Sequence, residues 1–562
     1  MPLPSPSMSE RNRTFVIFLA ALGIALLVNA GMGLYSGRLA EPFLDGDEAF
    51  QIPMALRVLD NELFSRDVLL LDHEQFYPAP FQWVAAVFIG IFGTIQRAYL
   101  VLSTLAFVLF ISGLFFLGKT LRCNGTGFAM ALFGSVVRPV LGDIGFGLSI
   151  GRLVPRELVF AFLPWIAIAL LLFNRTRKTR YTLAGFLVLG ILALFNPLAS
   201  VHAFLVFFIA QAWLDRGLVR TSPTHFARIQ GTNIVAFGIG MAPYAWWYLL
   251  HASQPASREI LEYAWFHLFR PLKRDFLVWG YGLIPFLAGF FVLMGQERKS
   301  LSTLTVPLAW LGSGLLVTAL FALTVYTPLQ PFLMSIQFHR ASAVPYLFLY
   351  AFCALLFARL FDEKGVRAKV SALALLFLLF MPWGSAFNAL FPSAHNQLVL
   401  NQVCTNPVCM ELYDLESRAH ASPSNDWENF HALAEFARKN TSKDALFLVP
   451  PYDFSAFRAY SERSVVVVRK DGTPSVFSAG YAEKWLESYK EALNAYASNS
   501  LDAFLFLQKK AGVDFIVVDK TLNELDLPIV YENARYALYG LSFNAWAGNA
   551  VPVFFPGNFN SP

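Results

Sequence analysis

Charged residues are scarce in this chain. Asp, Glu, Lys and Arg make up 14% of its 562 residues, whereas hydrophobic residues make up 56%. A soluble protein has about 25% charged residues, so this deficit excludes an ordinary water-soluble protein. The net charge of +5 is small, and we therefore predict no nucleic-acid partner.

Cysteine is also scarce, with four residues in the whole chain. Cys404 and Cys409 are close in sequence, and we predict a disulfide between them in an oxidising compartment. The alternative is two free thiols, and no further Cys or His lies nearby to complete a metal site. Cys123 and Cys353 fall near or within apolar segments and are predicted to be packing residues.

Long apolar runs are what the chain has in abundance. A bilayer core is crossed by about 20 apolar residues in a helix. We therefore predict a mostly α fold, a polytopic membrane bundle of about 11 transmembrane helices. The first run follows Arg11 and Arg13 and is interpreted as a signal anchor, the alternative being a cleaved signal peptide. The runs lie at 14–35, 98–118, 126–142, 157–173, 181–195, 199–213, 231–250, 276–295, 303–324, 342–361 and 368–390.

The basic residues predict how these spans are oriented. With the N-terminus in the cytoplasm, alternating spans place every dense basic loop on the cytoplasmic side, as the positive-inside rule requires. Phe81–Ile95 is apolar but too short for a span, and it is interpreted as an interfacial or re-entrant helix. The outer segments are then 36–97, 143–156, 251–275, 326–341 and everything after about residue 391. We predict a multi-pass protein of a bacterial inner membrane, with these segments on the periplasmic face.

The composition changes after Trp383, which indicates a second domain. We predict a transmembrane domain at 1–390 and an extracytoplasmic, soluble α/β domain at 391–562. Helical periodicity runs from Asp426 to Asn440, and two further helices are predicted at 480–498 and 501–510. Strands are predicted at 445–449, 464–468 and 513–518. Strands that alternate with helices favour a partly parallel sheet, and no Gly-rich phosphate loop follows any of them.

An acidic cluster opens the first outer segment. Asp45, Asp47 and Glu48 lie within four positions, just beyond the first span. Carboxylates packed together near a low-dielectric boundary raise the pKa of at least one of them, which suits a general base. The alternative is a solvated turn around Gly46. The length of segment 36–97 favours function, because loops of this length in compact proteins are usually functional.

A signal anchor, a first outer loop with Asp47-Glu48, further spans and a trailing α/β domain together resemble the GT-C superfamily of membrane glycosyltransferases. The resemblance implies an inverting sugar transfer from a polyprenyl-phosphate-linked donor to a glycan, lipid or protein acceptor. It implies Asp47 as catalytic base, with Glu48 or Asp45 as its orienting partner. The Trp-Trp-Asp signature of oligosaccharyltransferases is missing, since Tyr248 follows Trp246-Trp247, and this disfavours that branch.

The same resemblance implies residues that bind the donor. Arg152, Arg156, His339 and Arg340 lie at predicted outer membrane borders, where a lipid phosphate would sit, and arginine forks match phosphate oxygens. Ordinary interfacial snorkelling is the alternative for each arginine. Tyr77, and His73 in the same segment, are further candidates for substrate binding, although interfacial aromatics are common without function.

Two questions stay open at this level. Asp45 and Asp47 have a spacing that can hold a divalent ion, but two arginines would neutralise the leaving phosphate, so we expect no metal and no other cofactor. A transporter or flippase is the main alternative function, yet such proteins place polar residues at the bilayer midplane. A non-catalytic receptor or scaffold is the third. Polar groups gathered on the outer segments favour the glycosyltransferase.

Overall fold

The computed structural model places two compact units. The first comprises Met1–Pro42, Phe92–Leu250 and His267–Val403, and the second comprises Phe43–Ile91, His251–Phe266 and Cys404–Pro562. The structure describes residues 8–35, 47–73, 76, 79–136, 140–141, 144–145, 147–151, 153–251, 256–264, 301–325, 343–362, 365–366, 369–370, 407–418, 426–452, 454–522 and 524–541.

The first unit is built from long apolar helices. Four of them, including the N-terminal Met8–Gly31 stretch, are long and apolar enough to cross a membrane. This supports several spans in the described part of the chain, while the total of about 11 stays a prediction. The predicted spans 276–295 and 368–390 fall largely or wholly outside the described residues. The helices are Met8–Tyr35, Ile95–Leu121, Asn124–Val136, Pro155–Thr176, Thr179–Ile191, Pro197–Leu214, Arg216–Thr221, Pro223–His251, Leu301–Val325 and Ala343–Asp362.

Local sequence explains where several of these helices begin and end. The Asn196 side chain accepts a hydrogen bond of 2.9 Å from the backbone N–H of Ala199, and Pro197 follows as the first helical residue. The predicted span 126–142 is shorter in the structure, because the helix ends at Val136 and a two-stranded hairpin follows, β1 (Val140–Leu141) and β2 (Ile144–Gly145).

The cysteines of the first unit differ from each other. Cys353 is buried within its helix, as predicted. Cys123 is exposed between two helices, so its predicted packing role is wrong. A connection between helices lies at their ends, where less of the neighbouring helices is available to cover it. Cys404 lies outside the described residues, and the predicted disulfide stays a prediction.

The second unit contains the acidic segment as three helices. These are Glu48–Leu59, Val68–His73 and Pro80–Phe92, whose last residue already belongs to the first unit. The 13-residue helix Pro80–Phe92 covers the segment that was too short for a span. Trp83, Val87 and Ile91 are exposed on it at four-residue spacing, and its other face is buried. The exposed apolar stripe is typical of a helix at a membrane surface.

The trailing part of the second unit forms a five-stranded sheet in the order β4-β3-β5-β7-β6. Strands β3 (Leu446–Leu448), β4 (Ser464–Val465) and β5 (Phe515–Asp519) are parallel, as predicted. Strands β6 (Ile529–Glu532) and β7 (Tyr536–Gly540) add an antiparallel edge that the sequence did not predict.

The described part of the second unit also contains further helices and a 3-10 helix. They are Arg258–Ala264, Pro407–Arg418, Trp427–Asn440, Phe457–Ser461, Ala479–Ser498 and Leu501–Ala511, with the 3-10 helix at Arg469–Val476. The predicted helix from Asp426 to Asn440 is confirmed, and Asp426 caps it through the N–H of Asn429. The core contains Trp485, Tyr489 and Tyr496 from the longest of these helices. Burial of such large aromatic side chains dominates the stability of a small domain.

Candidate active site at the acidic segment

The predicted carboxylates stand at the start of helix Glu48–Leu59. Asp47 directly precedes the helix, and its side chain makes no capping hydrogen bond. Its carboxylate instead forms an ion pair with Lys470, with 3.0 Å between Oδ1 and Nζ. Glu48 is 1% exposed. Both acidic residues lie where the positive end of the helix dipole favours negative charge, which is sufficient to explain their presence without chemistry.

Lys470 belongs to a run of three charged residues at the start of the 3-10 helix. Arg469 pairs with Glu416 at 3.4 Å, Lys470 with Asp47, and Asp471 with Arg458 at 2.6 Å. All these partners belong to the second unit. Three consecutive residues of one short segment therefore form three separate ion pairs, one of them with Asp47 of the acidic segment.

The position of this segment follows from the parallel strands. Tyr452 comes after β3 and Arg469 after β4, so the two residues meet at the carboxyl edge of the sheet. The Arg469 N–H donates to the Pro451 carbonyl at 2.8 Å, and its guanidinium lies 5.1 Å from the centre of the Tyr452 ring. Ligands of open α/β sheets bind outside this edge. We call Asp47, Lys470, Arg469 and Tyr452 the edge site.

A second group of charges, which we call the buried junction, adjoins the edge site in sequence, because Asp471 directly follows Lys470. It consists of Asp67, Arg458 and Asp471, whose side chains are at most 1% exposed. Arg458 donates to Asp67 at 2.6 and 3.0 Å and to Asp471 at 2.6 and 2.9 Å. Burial raises the pKa of Asp67 above its ordinary value, although the positive charge of Arg458 opposes this. Burial favours loss of the Arg458 proton, but the two carboxylates outweigh it and raise the pKa of that guanidinium.

Backbone N–H groups complete the buried junction. Asp67 accepts from Val465 at 2.9 Å and from Leu70 at 3.0 Å, and Asp471 accepts from Val468 at 2.8 Å. Charges taken out of water are tolerated only when their remaining hydrogen-bonding capacity is satisfied in this way. Asp67 thereby fixes the acidic segment to the strand that leads into the 3-10 helix.

Glu416 forms a third buried polar group beside Arg469. It accepts hydrogen bonds from the hydroxyls of Tyr263 and of Tyr489, the latter at 2.6 Å. Burial and the Glu416 charge raise the pKa of Tyr263 well above its ordinary value, which keeps the phenol a donor. The Arg469 guanidinium also lies 5.7 Å from the centre of the Tyr263 ring. These contacts hold the Arg469 side chain on one side of the edge site.

The other predicted site residues have varied outcomes. Arg156 is half-buried near the start of helix Pro155–Thr176 and belongs to the first unit. His73 ends helix Val68–His73. The remaining candidates lie outside the described residues: Asp45, Tyr77, Arg152, His339 and Arg340. Among the described residues, no group of three or more His, Cys, Asp or Glu side chains is placed to hold a metal ion.

Comparison with known proteins gives a short family match and several distant structures. Residues 428–491 match a domain of unknown function, DUF6798, and this stretch includes Arg458 and Arg469 to Asp471. A comparison with curated proteins finds no match.

Solved structures resemble the chain at low identity. ArnT from Cupriavidus metallidurans bound to undecaprenyl phosphate is 13% identical, with a TM-score of 0.46 over 93% of this chain and 97% of that one. The Archaeoglobus fulgidus oligosaccharyltransferase AglB, in complex with an inhibitory peptide and a dolichol-phosphate, is 13% identical, with a TM-score of 0.41 over 89% and 69%. The same oligosaccharyltransferase tethered to an acceptor peptide is 12% identical, with a TM-score of 0.42 over 89% and 69%.

Proposed function

We propose that this protein is a membrane glycosyltransferase that moves a sugar from a polyprenyl-phosphate-linked donor to a glycan, lipid or protein acceptor. The observation that carries the proposal is the edge site, where the Asp47 carboxylate meets the Lys470 ammonium at 3.0 Å. Both side chains are about one-third exposed, at 29% and 34%. A base and a cation thus lie together at a surface that a substrate can reach.

Each group has a role that fits its chemistry. Asp47 takes the proton of the acceptor hydroxyl, and Glu48 or Asp45 orients it. The acceptor oxygen attacks the anomeric carbon on the face opposite the phosphate, so the anomeric configuration inverts. Positive charge is needed beside the departing phosphate, and arginine and lysine both supply it. We retain Arg152, Arg156, His339 and Arg340 as proposed donor ligands, and Tyr77 and His73 as proposed substrate contacts.

The make-up of the second unit supports an active site on the non-cytoplasmic face. Its three segments are Phe43–Ile91, His251–Phe266 and Cys404–Pro562. The count of basic loops assigns all three to the outer side of the membrane. Segments that fold into one compact unit have to lie on the same side of the membrane. If the basic loops had assigned one of the three to the cytoplasmic side, that assignment would conflict with the fold.

The test is sugar transfer by the purified protein in liposomes. Donors are polyprenyl-phosphate sugars that carry a radiolabelled sugar, offered with lipid, glycan and peptide acceptors. Asp47→Asn keeps the size of the side chain but removes its basicity, and loss of a general base costs about 10²–10⁴-fold in rate. We expect that loss in a protein that inserts and folds normally.

Asp72→Asn is the matched control for this variant. Asp72 pairs with Lys484 at 2.6 Å, again between the acidic segment and the trailing domain, with similar exposure. It should transfer sugar at the wild-type rate. A dead Glu48→Gln beside an active Asp47→Asn would make Glu48 the base. Full transfer activity in both variants would remove Asp47 and Glu48 as the base, whereas movement of the lipid donor across the membrane without transfer would overturn the proposal in favour of a flippase.

We further propose that transfer needs no divalent ion. Lys470 and Arg469 place two positive charges at the edge site. Activity should therefore survive EDTA. A loss that Mg²⁺ or Mn²⁺ restores would show that a metal carries the phosphate charge instead.

A further inference from the structure

Lys470 combines a fixed backbone with a side chain that is able to change partners. The residue before it is held by Glu416 and by the Pro451 carbonyl, and the residue after it by the buried junction. Within the part of the chain that the structure describes, the Lys470 ammonium has one ion-pair partner, Asp47. Exposed ion pairs contribute about 0–1 kcal/mol, so this pair is easily exchanged for another.

We propose that Lys470 leaves Asp47 and pairs with the donor's phosphate when the lipid-linked sugar binds. This inference rests on the proposed function and assigns Lys470 as a phosphate ligand of the same site. The exchange couples two events, because the Asp47 carboxylate loses its ammonium partner when the phosphate arrives. Asp47 then meets the acceptor hydroxyl without the Lys470 ammonium beside it.

The exchange fits the balance of the transfer step. The acceptor O–H bond breaks and its proton passes to Asp47, while the acceptor oxygen forms a bond to the anomeric carbon. The bond from that carbon to the phosphate oxygen breaks, and its electron pair leaves with the polyprenyl phosphate. The departing phosphate gains negative charge, whereas Asp47 becomes neutral when it takes the proton. After the exchange, the Lys470 ammonium is paired with the phosphate, which is the group that gains the charge.

The other cations near the acidic segment are less suited to this exchange. Arg469 is held by Glu416 and lies against two tyrosine rings. Lys443 and Lys484 pair with Asp60 and Asp72, which are not part of the edge site. A lysine ammonium on its flexible four-carbon stem reaches more than one position, unlike a guanidinium held in a planar fork.

The test measures equilibrium binding of radiolabelled polyprenyl phosphate to the full-length protein in detergent. Asp47→Asn removes the competing carboxylate, so it should bind polyprenyl phosphate about 2- to 5-fold more tightly. Lys470→Met should bind it about 10-fold more weakly, because a hydrogen bond to a charged group is lost. The double variant should match Lys470→Met, since Asp47 competes only through the lysine. Asp72→Asn and Lys484→Met are the matched controls and should bind as wild type does.

The outcomes separate this inference from the proposed function. Tighter binding by Asp47→Asn supports the exchange even in a protein that transfers no sugar. Unchanged binding in Asp47→Asn and in Lys470→Met overturns it, even where Asp47→Asn abolishes transfer. Lys470→Gln repeats the measurement if the methionine variant does not fold. Competition by inorganic phosphate at the same concentration as polyprenyl phosphate would identify a free-phosphate site and overturn the assignment to the lipid donor.

Discussion

Two of the groups of charges that join the acidic segment to the trailing domain differ sharply in exposure. In the buried junction, Asp67, Arg458 and Asp471 are at most 1% exposed and share four hydrogen bonds of 2.6–3.0 Å. In the edge site, Asp47 and Lys470 are about one-third exposed and form one contact of 3.0 Å. The same kinds of side chain therefore hold the segment in the buried junction and, in the proposed function, meet a substrate in the edge site.

The physical reason for the difference is desolvation. A buried charge that loses its partner stays in a low-dielectric surrounding, so breaking the pair is strongly unfavourable. An exposed charge that loses its partner is solvated by water, so the change in free energy is small. Of these two groups, only the edge site is exposed enough to exchange partners during the proposed reaction cycle.

The largest expected effect comes from breaking the buried junction. Arg458→Met leaves the Asp67 and Asp471 carboxylates buried without their cation, and removal of one partner from a buried ion pair costs about 3–5 kcal/mol. The opening free energy of the second unit, measured by limited proteolysis of the full-length protein in detergent, should fall by that amount.

Arg438→Met is the matched control for Arg458→Met. Arg438 pairs with Glu462 at 3.3 Å, with exposures of 46% and 29%, so its loss should change the opening free energy by less than about 1 kcal/mol. Equal changes in the opening free energy of the two variants would contradict the prediction that the buried junction stabilises the second unit more than an exposed ion pair does.

The fold of the trailing domain was largely predictable where the signal is local. The helical periodicity places Trp427, Phe430, Leu433, Ala434 and Ala437 on one face of helix Trp427–Asn440; the last four are buried there and Trp427 is half-buried. Strand β5 is buried at all five positions, and its apolar run predicts a strand. Strand β6 has exposed ends and a half-buried centre, so it lacks the apolar alternation by which a strand is recognised.

The acidic residues of the candidate site were predictable from the sequence, but its cationic residues were not, because the two groups are far apart in the chain. Asp47 and Glu48 stand out locally as an acidic pair after a span. Their cationic partner could not be found in the same way, since contacts such as Asp67 to Arg458 join residues 391 positions apart. One signal was present, however: Arg469 and Lys470 directly follow the predicted strand 464–468, and the carboxyl ends of parallel strands are where ligands bind.

A smaller effect is expected from Gly472→Ala within the 3-10 helix. A Cβ at this position would lie 2.4 Å from Cζ2 of Trp485, which is fully buried. Overpacking of this kind costs about 1–3 kcal/mol, and it should shift the helix that carries Lys470. Proteolytic stability and polyprenyl-phosphate affinity should therefore both fall. Gly480→Ala is the control, because nothing lies within 4 Å of its added Cβ; a matching loss there would point to a general effect of alanine.

The smallest expected effect is a pH dependence at His431, which belongs to neither the edge site nor the buried junction. Its ring lies 4.2 Å from that of Tyr460, and burial lowers its pKa below the ordinary value of 6.5, although Glu435 opposes this. With a lowered pKa in the folded state, the unfolded chain binds more protons as the pH falls through 6.5, so stability decreases on acidification. The melting temperature of the second unit should fall slightly from pH 7.5 to pH 5.5. His431→Gln should remove that part of the fall, because glutamine does not titrate. A melting temperature that rises on acidification in the wild type, and not in the variant, would mean that Glu435 outweighs burial at this ring.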